Sequence, residues 1–353
     1  MDQRIDVFTH ILPKRVDEAR VQRASKSNYA QHVLWAMTIQ SGIAPAANYQ
    51  VLTDLDARFR MMDEFENYRQ VIAMAGPAVE IMAPDDSDVM ARIANDSLAE
   101  LVEKYPDRFV GAVASLPLDR PDASVRELQR AVRDLHVIGV QLYTNVNGKP
   151  LDAPEFRPLF QAIADLDVPI LLHPARSKTH ADYLTENASK YLIWQIFGWP
   201  YESSAAMARM VFSGMLDDFP NLKVVVHHTG AMVSFFSGRI QALYTLFAPL
   251  VEKEREKELR APLRQPAPEY FRRFYTDTST FTTASIECAA SFFGPNHVLF
   301  GTDVPFDNEG GRFSIRESSN AIENSRLSPA EKSKIFHTNF ETLFRQPKAA
   351  TVA

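Results

Sequence analysis

Four polar residues stand at the ends of short apolar runs, where their side chains could do chemistry. His10 closes Ile5-Asp-Val-Phe-Thr-His10, His173 closes Ile170-Leu-Leu-His173, His228 follows Val224-Val-Val-His, and Asp303 follows Leu299-Phe-Gly-Thr. Two or three imidazoles and one carboxylate converging on a common point would make the ligand set of a divalent transition metal. A lone histidine is more often a hydrogen-bonded structural residue, and only convergence reverses that weighting. His32, His136, His180, His297 and His337 have no such placement and are read as structural. His227 precedes His228 on one run, so period-2 alternation would turn it to the opposite face, as a supporting or packing residue.

Convergence requires elements that bring these run ends together. Eight apolar runs rich in Val, Ile, Leu and Phe occur at 5–11, 70–74, 109–116, 139–144, 169–175, 223–230, 274–279 and 298–306. Helical periodicity follows each, at about 53–66, 87–104, 123–135, 153–165, 203–218, 231–246, 284–293 and 328–345. Repeated βα units with nearly continuous apolar strands predict a parallel sheet covered all round by helices, that is, a (β/α)₈ TIM barrel spanning 1–353 as a single domain. Functional residues then belong at the C-terminal ends of the strands. An open doubly wound sheet is the runner-up, but no Gly-x-Gly-x-x-Gly follows any run. Asp86 and Ser87 are placed to cap one helix, and Ser328-Pro-Ala-Glu331 another. Residues 14–50, 176–202 and 247–272 exceed the minimal repeat and read as insertion loops at the mouth, while the end from Lys348 is expected to fray.

Composition narrows the partners. The chain has 353 residues, 46% of them hydrophobic, and a formal net charge of −6, with no basic stripe for nucleic acid or an anionic membrane. A small molecule is the expected partner. Cys288 is the only cysteine, which excludes an internal disulfide and a cysteine-rich zinc site and fits a reducing, cytoplasmic setting. The first residues lack the apolar run of a signal peptide, and no stretch has the length of a membrane span.

The order and spacing of several motifs resemble the decarboxylase branch of the amidohydrolases, typified by aminocarboxymuconate-semialdehyde decarboxylase and γ-resorcylate decarboxylase. These motifs are Asp6-Val-Phe-Thr-His10-Ile-Leu-Pro13, Leu172-His173-Pro174, the segment from Phe219 to Gly230, Phe300-Gly-Thr-Asp303-Val-Pro-Phe306 and Asn339-Phe-Glu-Thr-Leu-Phe344, so the resemblance covers nearly the whole chain. It implies that His10, His173 and Asp303 hold a metal, with zinc expected and manganese the alternative. It further implies that His228 serves as an acid, a base or a substrate-polarising group, with Asp303 sharing the proton chemistry, and that the protein is a homodimer. The first strand departs from the pattern: the family carries His-x-His or Glu-x-His, and here Phe8 precedes Thr9 and His10. Three protein ligands with water or substrate still make an ordinary catalytic zinc site.

The implied activity is a metal-dependent, non-oxidative decarboxylase of a small carboxylated aromatic or unsaturated acid. A hydrolase or hydratase on the same barrel is the first alternative, because a metal-bound water would use the same residues. A catalytically degenerate ligand-binding barrel is the second. Phe8, Arg176, Trp194 and Phe306 form the candidate substrate-binding set, Arg176 for pairing with a carboxylate and the aromatics, with Trp199, for stacking. Asp277 is read as orienting a neighbour. The run Glu252–Glu258 is read as a solvated helix face.

Overall fold

The computed structural model describes residues 3–24, 46–258 and 261–344. Seven parallel strands follow one another around the sheet in chain order: β1 (Arg4–Ile11), β2 (Tyr68–Met74), β3 (Phe109–Ser115), β4 (Gly139–Tyr143), β5 (Ile170–His173), β6 (Val224–Val226) and β7 (Tyr275–Thr276). The expected eighth run closes the circle by single bridges, Val298 to Thr276 and Val304 to Thr9. Hydrogen bonds reinforce it on both sides: Leu299 N donates to Thr276 O (2.8 Å), Val7 N to Phe300 O (2.9 Å), Asp303 N to Phe8 O (3.0 Å) and His10 N to Val304 O (2.8 Å). The architecture is therefore the (β/α)₈ barrel that the repeating pattern predicts.

Alternation along each strand divides its apolar side chains between two cores. Ile5, Val7, Val71, Val113, Leu171, Val225 and Leu299 fill the barrel interior, while Ile72, Ala112, Val140, Leu172, Val224 and Phe300 face the helices. Burial on both faces is why the runs read as continuously apolar. On β1 the register against β2 shifts between Asp6 and Thr9, and Phe8 joins Val7 in the interior.

The covering layer includes α1 (Lys14–Ala24), α2 (Leu55–Met62), α3 (Ser87–Lys104), α4 (Pro121–Arg133), α5 (Arg157–Leu166), α6 (Gly198–Phe212), α7 (Ser237–Lys257), α8 (Thr283–Phe293) and α9 (Arg312–Glu323). On α3, Met90, Ala91, Ala94 and Leu98 recur at three- and four-residue spacing and are buried on one face. From α2, the buried Arg58 reaches the end of β1, donating through Nη1 to His10 O (2.8 Å), through Nε to Gln70 Oε1 (2.8 Å) and through Nη2 to Thr9 Oγ1 (3.1 Å). A guanidinium so fully bonded fixes the strand end that carries His10.

Several expectations change. Residues 247–257 are helix, not insertion loop, because α7 starts late and runs on to Lys257; Arg255 is buried and donates to Phe212 O and Ala261 O. The expected helix 203–218 is divided into α6 and a short turn, Met215–Asp218, by Gly214 in a left-handed conformation. Asp86 makes no side-chain cap, and Ser87 Oγ instead donates to Asp119 Oδ1 (2.7 Å). Ser328 forms the capping box with Glu331, after which a π turn, Lys334–Thr338, interrupts the final helix. The middle of the 14–50 insertion, His32, and the expected fraying end lie outside the described residues. Among the described residues no helix is long and apolar enough to cross a membrane.

At the ends of β2, β3 and β4, a small cavity is lined by Glu80, Ser115, Gln141 and Tyr143. Burial pushes the Glu80 carboxyl up to about 7 from its ordinary 4.5. The folded state therefore binds more protons at Glu80 than the unfolded one between those values, so the contribution of this group to stability falls as pH rises from about 4.5 to 7 and is constant above. Asp6, raised to about 7 by burial, acts in the same direction. Urea unfolding at pH 5 and pH 8 should show a smaller stability difference in Glu80→Gln than in the wild type, by up to about 3 kcal/mol.

Candidate metal centre

Barrel closure brings the ends of four segments to one mouth. His10 lies near the end of β1, His173 ends β5, His227 is the first residue beyond β6, and Asp303 lies at the end of the closing segment. One donor atom from each of these four side chains falls within 4.8 Å of all the others. His10 Nε2 is 3.1 Å and His227 Nε2 3.3 Å from Asp303 Oδ1, and His228 Nε2 is 3.7 Å from Asp303 Oδ2.

The imidazoles are oriented from behind. His173 Nδ1 lies 2.7 Å from Pro174 O; a carbonyl only accepts, so Nδ1 carries the proton and Nε2 keeps its lone pair. His227 Nδ1 donates to Asp277 Oδ2. Asp277 is itself held by Thr229 N (2.8 Å) and Ser279 Oγ (3.0 Å), which is the orienting role the sequence suggests. Gly301 makes room for this arrangement, since a Cβ there would lie 2.7 Å from Asp277 Cβ and 3.3 Å from Phe8 Cβ. Asp6 secures the opposite wall, accepting from Tyr68 OH (2.6 Å) and from Thr302 N (3.1 Å), next to Asp303.

Both ring nitrogens of His10, with His227 Nε2 and Asp303 Oδ1, are buried and make no well-aligned hydrogen bond among the described residues; His10 Nε2 and His227 Nε2 meet only Asp303 Oδ1, at ion-pair separations of 3.1 and 3.3 Å. Buried polar atoms satisfied only by such poorly aligned contacts would be costly in a finished core. Nitrogen and carboxylate donors at this separation suit zinc or manganese, so the residues fit a divalent metal.

One reading of orientation is corrected. His227 was expected to face away from His228, but β6 stops at Val226, and His228 and Thr229 adopt left-handed φ values of 58° and 55°. Strand alternation no longer applies past Val226, and the two rings lie side by side at 3.9 Å, both toward the mouth. His228 is the more open of the two, with a side chain 15% exposed against 0% for His227.

The other candidates surround this cluster at different depths. Phe8 is fully buried and stacks on His227 at 3.7 Å with an interplanar angle of 5°, so it forms the floor. Phe306 stands 5.4 Å from the His10 ring, and Trp199 stands 5.5 Å from His173 and 5.7 Å from His228. Trp194 packs edgewise behind Trp199 at 5.4 Å. Arg176 points toward Glu202, Nη1 to Oε2 3.7 Å, and its carbonyl accepts from Trp199 Nε1 (3.0 Å). Tyr143, 5.4 Å from His173, was missed; its place at the end of the fourth run was the available signal.

Charge is unevenly shared. Burial alone would raise Asp303, but His227, His10 and His228 outweigh it and hold the carboxyl well below the usual range. Burial and then the neighbouring His227 push His173 and His228 down. For His227 burial is overcome by Asp277 and Asp303, which raise it to about 9 from 6.5. Its contribution to stability is therefore complete below about pH 6.5 and is lost as pH rises through 9. In metal-stripped protein, Asp277→Asn should move the His227 imidazole titration, followed by NMR, below 9 and flatten the stability slope over that window.

The chain matches the amidohydrolase family over residues 5–346. It is 30% identical to γ-resorcylate decarboxylase of Rhizobium sp. (strain MTP-10005) over 315 residues, 84% of this chain and 89% of that one. Two solved structures share the fold. The first, 5-carboxyvanillate decarboxylase of Sphingomonas paucimobilis, has a TM-score of 0.80 at 22% identity and covers 98% of this chain and 100% of its own. The second, dihydroxybenzoic acid decarboxylase of Polaromonas sp. JS666 with bound manganese and the inhibitor 2-nitroresorcinol, has a TM-score of 0.74 at 25% identity and covers 98% and 97%. With a match running from β1 to the last helix and a relative alike along most of both chains, this protein belongs to the amidohydrolase family, in its γ-resorcylate decarboxylase-like branch.

Proposed function

We propose that this protein is a metal-dependent, non-oxidative decarboxylase acting on a small carboxylated aromatic or unsaturated acid. The observation that carries the proposal is the set of buried donors on His10, His227 and Asp303 that, among the described residues, make no well-aligned hydrogen bond and converge on one another and on His173 under a mouth walled by aromatic rings. A divalent metal bound there would supply a positive charge that draws in the substrate's carboxylate or a neighbouring oxygen. His10, His173 and Asp303 are its proposed ligands, with zinc or manganese as the ion. The Polaromonas relative holds manganese, which makes that ion the first to test.

The protein's own groups handle the proton. Decarboxylation needs one proton delivered to the carbon that bears the carboxylate, after which the carbon–carbon bond breaks, carbon dioxide leaves and conjugation is restored. His228 Nε2 and Asp303 Oδ2 face each other at 3.7 Å at the more open side of the cluster, so either atom can hold that proton next to a bound ring. Phe306 and Trp199 keep the ring flat against the imidazoles and exclude water, which sharpens each electrostatic contact. Arg176 is tied to Glu202, and its pairing with a substrate carboxylate would require it to leave that partner. A homodimer is part of the same proposal, resting on the resemblance alone.

Manganese-loaded protein should release carbon dioxide from at least one member of a panel of hydroxybenzoates, and a chelator should abolish the release reversibly. His228→Ala and Asp303→Asn should each lower kcat/KM by about 10²- to 10⁴-fold. Turnover confined to esters, lactones or amides would make the protein a hydrolase. Binding of the acid without any turnover would make it a degenerate barrel.

A further inference from the structure

We infer that His227 is a direct metal ligand, taking the place in the ligand set that Phe8 leaves empty on the first strand. The inference rests on the proposed metal centre and concerns its composition. Phe8 and His10 are two residues apart, and after the register shift in β1 both rings reach the cluster, 5.8 Å from each other. Phe8 has no donor atom to offer. Its ring lies flat against His227 at 3.7 Å, so the two changes from ordinary strand behaviour, an apolar ring at position 8 and an inward ring at position 227, meet face to face.

Three further observations point to ligation and not to packing. His227 Nε2 is buried, and among the described residues it meets only Asp303 Oδ1, at 3.3 Å and without the alignment of a hydrogen bond. Its Nδ1 donates to Asp277, whose remaining contacts are to Thr229 and Ser279; a carboxylate behind a histidine fixes the tautomer that leaves Nε2 free for a metal. His228, by contrast, puts its Nε2 at the open side of Asp303, where it remains available to substrate. Adjacent histidines thus have separate tasks, His227 holding the metal with His10, His173 and Asp303, and His228 meeting the substrate.

Metal binding measured without substrate tests this. Stripped wild type, His227→Ala, His228→Ala and the double variant Phe8→Glu/His227→Ala are titrated calorimetrically with manganese, with folding checked by circular dichroism. His227→Ala is expected to lose at least about 10-fold in affinity and His228→Ala to stay within about 3-fold of wild type, while returning a carboxylate to the first strand in the double variant recovers affinity. X-ray absorption of the zinc-loaded wild type should count three imidazoles, a readout that does not depend on any variant folding. A folded His227→Ala with wild-type affinity, or a count of two imidazoles, overturns the inference. Because no step involves turnover, loss of the decarboxylase reading would leave these outcomes intact, and wild-type turnover with only two imidazoles would sink this inference alone.

Discussion

Everything at the mouth depends on the hydrogen bonds that close the barrel between β1 and the segment 298–304. Asp303 N to Phe8 O and His10 N to Val304 O interlock the two chain ends of the sheet. They place a carboxylate from near residue 300 beside an imidazole from near residue 10. Without that seam the cluster would lose its acid and its first histidine together. Reinforcement comes from both sides: Arg58 holds the carbonyl of His10, and Asp6 holds Thr302. Both are fully buried polar side chains, and both fix the positions of neighbours.

The same seam explains how one acid can serve several imidazoles. Asp303 lies against His10, His227 and His228 through two oxygens, so any group that changes the charge on one histidine is felt by the others through the carboxylate. His227 gains charge from this arrangement while His173 and His228 are pushed toward neutrality. Neighbouring rings in one cavity therefore differ in protonation because their carboxylate partners differ, not because their burial does.

Much of this was legible in residue order. His10, His173 and Asp303 could be placed because apolar strands buried on both faces end abruptly in a polar side chain, and barrel topology puts such ends on one side. Asp277 could be assigned an orienting role from its place on a strand. His227 could not be placed, because period-2 alternation holds only while the chain is extended, and the extended stretch ends one residue earlier, at Val226. Phe8 was singled out at the mouth as a substrate-binding residue, but its depth was not legible: a register shift inside β1 carries it into the interior beside Val7, fully buried against His227. The charged run from Glu252 was read as a solvated helix face, and it is helix as far as Lys257, but Arg255 within it is buried. Local irregularity, more than composition, separated pattern from structure.

Three non-glycine residues at the mouth, His228, Thr229 and Asp303, hold left-handed backbone angles of 58°, 55° and 63°. Side chains with a Cβ resist that conformation, at a cost on the order of 1 kcal/mol each. The rim of the barrel is thus under conformational tension that the well-packed body below must absorb. Glycine at any of the three would relax it, but at His228 or Asp303 it would remove the reactive group in the same stroke, and at Thr229 the hydroxyl that meets Thr280. Selection for robustness and selection for chemistry therefore pull these positions in opposite directions, and sequences drifting free of the second pressure should lose this rim first.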